Sequence, residues 1–131
     1  MEGKTKEEVL KNLCRKVEQE KGLPETFTAS VLKREELTPT DYGNLVALPH
    51  PERAFQERAF VAVAVLREPI FWFRQKVQVV FLTAIGREED ENLQQFYEAT
   101  TDLILRPADV QNLIRHPDYD RLIQLLRRSE E

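Results

Sequence analysis

Phe60-Val-Ala-Val-Ala-Val-Leu66 is apolar at every position and rich in β-branched residues. A run of that length and character predicts a buried strand rather than a helix. Val77 to Ile85 repeats it, interrupted only by Gln78 and Thr83. Together the two runs predict central strands covered on both faces. Between them, Glu68-Pro69 breaks the pattern and Ile70-Phe-Trp-Phe73 follows, which predicts a hairpin-like or edge excursion.

Outward from these runs the period changes. Thr5-Lys-Glu-Glu8 is a capping-box pattern, and Val9, Leu10, Leu13 and Val17 recur at helical spacing behind it. Gly22 predicts the end of that helix. Pro24 predicts the start of a second, with Phe27 and Val31 inside and Arg34 near its end. Thr38 to Asn44 is turn chemistry, and Leu45 to Leu48 reads as a short strand. Beyond Gly86, the residues Leu93, Phe96, Tyr97, Thr100, Leu103 and Ile104 mark a long amphipathic helix. Pro107 and Pro117 predict the starts of two shorter helices. Arg127-Arg-Ser-Glu-Glu131 reads as a fraying end. The order helix, helix, strands, helices predicts an α/β fold, a mixed β-sheet sandwiched between helices.

The chain has 131 residues, which predicts one domain. Its net charge of -4 argues against direct nucleic-acid binding, because phosphate contacts need a basic face. One cysteine, Cys14, excludes an internal disulfide and fits a reducing compartment such as the cytoplasm. No apolar run near the amino end is long enough for a signal peptide or a membrane span.

The chemistry concentrates in Thr38-Pro-Thr-Asp-Tyr-Gly-Asn-Leu-Val-Ala-Leu-Pro-His50. An apolar run stops at Pro-His, which predicts a rigid, half-exposed imidazole at a strand end. A neutral ring nitrogen can accept a phosphoryl group and pass it on. That reaction needs cationic or N–H donors around the phosphoryl oxygens. Arg34, sixteen residues earlier near a helix end, could fold back beside the ring, and Thr40 and Asn44 could supply hydrogen bonds. The bland alternative for His50 is a surface histidine in a turn.

Other residues read more simply. Cys14 lies on the apolar helix face and predicts a core position. His116 predicts a solvent-facing helix end. Trp72 predicts core, with a docking surface as the alternative. The run Arg87 to Glu91 predicts a solvated helix start. No spacing supports a metal site from His50, His116 and Cys14, and no motif calls for a cofactor.

Lys33-Arg-Glu-Glu-Leu-Thr-Pro-Thr40 followed by Gly43-Asn-Leu-Val-Ala-Leu-Pro-His50 resembles the fructose/mannitol-type enzyme IIA domain of the bacterial sugar phosphotransferase system. Thr5 to Glu8, Glu68 to Trp72, Val77 to Leu82 and Glu89 to Leu93 extend the likeness over nearly the whole chain. The resemblance implies an α/β sandwich. It also implies phosphorylation of His50 by the phosphocarrier protein HPr, and an arginine, Arg34, beside the active histidine.

Three departures bear on function. Asn92 stands where many of these domains carry a second histidine, so a hydrogen bond is available there but not a positive charge. Pro51 follows His50 where transport members carry a small residue. Transport members usually begin with a strand before the first helix, and this chain starts almost at that helix. The Pro-His-Pro form and the Trp72 motif look like the copies fused to transcription regulators and antiterminators, and imply a domain excised from a longer regulator. Three readings stay open. One is a regulatory phosphoacceptor domain. The second is a transport component handing phosphate to an enzyme IIB cysteine. The third is a domain that only binds partners.

Overall fold

The structure, a computed structural model, describes residues 1, 3–88 and 91–128, without the side chains of Glu91 and Asn92. Five helices and four strands follow in the order α1 (Lys6–Lys21), α2 (Thr26–Leu37), β1 (Asp41–Gly43), β2 (Val46–Ala47), β3 (Phe60–Phe71), β4 (Lys76–Ala84), α3 (Glu91–Ile104), α4 (Pro107–Arg115) and α5 (Tyr119–Arg127). The mixed α/β class predicted from the sequence holds. The chain divides into two compact units, Met1–Glu89 and Asp90–Glu131.

In the first unit the sheet order is β1-β2-β4-β3. β2 runs parallel to β4, and β3 antiparallel to it. Helices α1 and α2 cover one sheet face. Val9, Leu10, Leu13, Cys14 and Val17 of α1 join Phe27 and Val31 of α2 over Ala47, Ala64, Leu66, Val80, Leu82 and Ala84. The Thr5 hydroxyl accepts the Glu8 N–H at 3.2 Å and starts α1. Gly22 ends it at φ 66°, a left-handed position that costs glycine little. α2 starts two residues later than Pro24 predicts, and its cap comes from α1: Glu18 Oε2 accepts Thr28 N–H at 2.9 Å and Thr28 Oγ1–H at 2.6 Å.

Three sequence expectations are corrected here. First, β3 is an edge strand, so of the two long runs β4 alone is an inner strand. β3 alternates accordingly, with Ala64 and Leu66 buried and Val61, Val63 and Val65 half-buried. Second, Pro69 does not end β3. The register shifts between Val65 and Ile70, and an edge strand tolerates proline at such an irregularity because no inner neighbour needs its N–H. Opposite this shift, Leu45 O accepts both Gln78 N–H and Val79 N–H, the two-on-one pattern of a bulge, and Val77 thereby shares the core with Val80. Third, Thr38 to Asn44 is not all turn. Asp41–Gly43 forms β1 and pairs with a β2 reduced to Val46–Ala47. The connecting pair Asn44 (φ 50°) and Leu45 (φ 71°) is left-handed at both positions, as a two-residue hairpin loop requires.

In the second unit, Leu103, Ile104, Val110, Leu113, Leu122, Leu125 and Leu126 are buried. Buried Asp109 meets Arg106 at 2.9 Å and Arg128 at 2.6 Å. Asp118 caps α5 by accepting Arg121 N–H at 2.8 Å. The run Arg87 to Glu91 and the end of the chain lie partly outside the described residues. Among the described residues, no helix is long and apolar enough to cross a membrane.

Candidate functional site

β2 ends at Ala47, and the backbone beyond it is held on both sides. Leu48 N–H donates to Thr40 O at 3.0 Å. Thr83 N–H, at the end of β4, donates to Pro49 O at 3.0 Å. Pro49 and Pro51 are buried, and Glu52 N–H donates to Ser30 Oγ of α2 at 2.7 Å. His50 therefore stands one residue past the last rung of the sheet, on a backbone fixed before and after it. Its ring is half-buried, at the strand end the sequence predicts.

Among the described residues, one hydrogen-bond contact reaches the ring. Nδ1 lies 3.3 Å from Leu48 O. A carbonyl oxygen can only accept, so the neutral ring carries its proton on Nδ1 and its lone pair on Nε2. The nitrogen with the lone pair is the nucleophilic one.

Arg34 is half-buried in the last turn of α2, and Nη1 donates to Thr38 O at 2.9 Å. Its remaining N–H groups make no hydrogen bond to a described residue. Thr40 does not reach outward. Its hydroxyl donates to Glu35 Oε1 at 2.7 Å, and its N–H lies 3.4 Å from the same oxygen. Asn44 is exposed at the first position of the hairpin loop. Asn92 falls in α3, and its side chain lies outside the described residues.

Sequence reasoning missed Glu35. It is 3% exposed, and Trp72 Nε1–H donates to its Oε1 at 2.6 Å. Trp72 is 4% exposed, so it is core and not a docking surface. Its neighbours Phe71 and Phe73 are exposed. A glutamate within Lys-Arg-Glu-Glu looks like any other helix-surface residue. The signal available was its place one turn after buried Val31.

Cys14 is fully buried. Burial, and secondarily Glu18, pushes its thiol up to about 12. His116 is exposed at the C-cap of α4. Among the described residues, no group of His, Cys, Asp and Glu side chains could hold a metal ion.

Residues 1–129 match the family described as phosphoenolpyruvate-dependent sugar phosphotransferase system, EIIA 2. The probable licABCH operon regulator of Bacillus subtilis (strain 168) is 36% identical over 119 residues, 91% of this chain. The transcriptional regulator ManR of the same organism is 31% identical over 97 residues, 73% of this chain. The chain spans 19% of the first regulator and 15% of the second. The fold is similar to mannitol enzyme IIA in its complex with phosphorylated enzyme IIB from Escherichia coli, with a TM-score of 0.79 at 19% identity over 96% of this chain and 90% of that one. It is also similar to nitrogen regulatory protein IIA-Ntr from Neisseria meningitidis, with a TM-score of 0.77 at 20% identity over 96% of this chain and 89% of that one.

Proposed function

This chain belongs to the EIIA 2 family of the phosphoenolpyruvate-dependent sugar phosphotransferase system, and on that premise we propose that it is a regulatory phosphoacceptor domain charged on His50 by HPr. The observation that carries the reading is the Leu48 carbonyl 3.3 Å from Nδ1. It leaves Nε2 with the lone pair on a half-buried ring that a visiting protein can reach.

In the proposed step, the Nε2 lone pair attacks phosphorus of the HPr phosphohistidine. The P–N bond to HPr breaks, and its electron pair returns to the HPr ring. The His50 ring becomes more cationic as the new P–N bond forms, and its Nδ1–H bond to Leu48 O strengthens with that charge. Arg34 supplies a guanidinium whose remaining N–H groups make no hydrogen bond to a described residue and could offset the phosphoryl oxygens. Thr40 holds the backbone, and Asn44 is a further candidate donor to the phosphate.

The output is control of a sugar-responsive transcription regulator or antiterminator in the cytoplasm. Two relatives named as regulators, each several times longer than this chain, support that placement. The added negative charge would alter how the domain meets the rest of such a regulator. No cofactor, metal, membrane or direct nucleic-acid contact enters the scheme.

The test mixes the protein with phosphoenolpyruvate, enzyme I and HPr and reads its intact mass. An acid-labile phosphate adduct that disappears in His50→Ala supports the reading, and no adduct on the unchanged protein overturns it. A chase with an enzyme IIB partner separates regulation from transport: fast transfer of label to the IIB cysteine defeats the regulatory reading.

A further inference from the structure

We infer that Glu35, held by Trp72, is a positioning residue that sets the tautomer of the His50 ring through two backbone units. The inference rests on His50 being the phosphoacceptor. Its basis is a continuous path of hydrogen bonds. Trp72 Nε1–H donates to Glu35 Oε1 at 2.6 Å. The same oxygen takes Thr40 Oγ1–H at 2.7 Å and faces Thr40 N–H at 3.4 Å. Thr40 O accepts Leu48 N–H at 3.0 Å, and Leu48 O faces His50 Nδ1 at 3.3 Å. The Trp72–Glu35 hop spans 37 residues, while the Thr40–Leu48 hop continues the β1–β2 pairing and the Leu48–His50 contact is local.

The last contact is the sensitive one. At 3.3 Å it is longer than a usual N–H···O bond, so its strength depends on where the Leu48 carbonyl is held. Pro49 O is fixed on β4 through Thr83, one residue after Leu48. The other anchor of Leu48 is Thr40, and Thr40 is fixed by Glu35. Without Glu35, one of the two supports of that carbonyl is loose. The ring is then free to place its proton on Nε2, the nitrogen that must attack.

Apolar packing alone gives no reason for a glutamate at this position, although its Oε1 also satisfies the buried Trp72 Nε1–H. Leu would fill a site that is 3% exposed without bringing polar atoms into the core. Glu35 Oε2 is buried and has no hydrogen-bond partner among the described residues. A buried group with an unsatisfied oxygen calls for a reason beyond filling space. Three donors converging on its other oxygen supply that reason. Arg34, the preceding residue, holds Thr38 O at 2.9 Å. Adjacent side chains at the end of α2 thus hold the same short segment, Arg34 at Thr38 and Glu35 at Thr40.

The experiment reads the His50 ring by nitrogen-15 NMR at alkaline pH, on the unphosphorylated protein, and the rate of phosphate uptake from HPr. The unchanged protein should show the Nδ1–H tautomer. Glu35→Ala should give a mixture of tautomers and an uptake rate lower by about tenfold, the lower end of what losing an outer partner of a functional histidine costs in metal sites. Trp72→Phe should act in the same direction and less. Thr40→Val should match Glu35→Ala, and Thr40→Ser, which keeps the hydroxyl, should restore both readouts. If Glu35→Ala does not fold, the Thr40 pair decides alone. A folded Glu35→Ala or Thr40→Val protein with an unchanged tautomer and rate overturns the inference. Failure of the unchanged protein to take phosphate would instead sink the functional reading, and the tautomer ratios would still judge the relay.

Discussion

Two regions of the first unit are built by opposite means. Around α1, β3 and β4 the contacts are apolar, and Phe27 meets Phe55 edge-on at 5.5 Å and Phe60 in a stack at 6.2 Å. From Arg34 to Pro49 the ties are polar: Arg34 to Thr38, Glu35 to Thr40 and Trp72, and Leu48 to Thr40. Apolar burial is strong but non-directional. Hydrogen bonds add little net stability, yet they fix angles. The core keeps the protein folded, and the polar strap aims a ring.

His50→Ala should break function and spare the fold. Phosphate acceptance should drop to background, while unfolding free energy should change by about 0.5 kcal/mol or less, as at ordinary surface positions. Mass spectrometry and urea melts check the two halves. A loss of core size would place the imidazole among the packing residues and erase the contrast.

Phe27→Ala should do the reverse. The side chain is fully buried, so its loss should cost about 3–5 kcal/mol. Phosphate uptake per folded molecule should hold. A large drop in that rate at full folding would show that the two regions are not separable.

Cys14 offers a pH-dependent version. The thiol titrates at 9.0 in an unfolded chain and at about 12 in the folded protein. Between those values the folded state binds more protons, so the stability present below the lower value is lost as pH rises through the window. Cys14→Ala should flatten that decline in urea midpoints taken at roughly pH 8 and about pH 10.5. An equal decline in both proteins would remove Cys14 as its source.

The smallest effect should come from the hairpin loop. Leu45 sits at φ 71°, where a side chain with a Cβ costs about 1 kcal/mol. Leu45→Gly creates Asn-Gly, the favoured pair for this loop, and should raise stability by about 0.5 kcal/mol, less than the relieved strain because apolar area is lost. Thermal melts would report it, and a decrease would mean that the half-buried Leu45 side chain outweighs the strain.

The contrast also explains what could be read from the sequence. Apolar periodicity marked the cores of α1, α2, α3, α4 and α5, and the two long strands, because burial writes itself into residue type. The Pro-His stop marked His50. Edge or centre could not be read for β3, since Val-Ala alternation suits a half-covered strand as well as a covered one. β1 was hidden because turn residues can pair as a strand when a primed loop follows. Glu35 was hidden for a related reason: its burial depends on a tryptophan 37 residues away, and no local pattern encodes that distance.

The most direct test is the phosphorus–nitrogen coupling on the phosphorylated, nitrogen-15-labelled protein. The account predicts one phosphoryl group, bonded to Nε2 of His50, with a proton retained on Nδ1. A phosphoryl group on Nδ1, on another residue, or on none would contradict it.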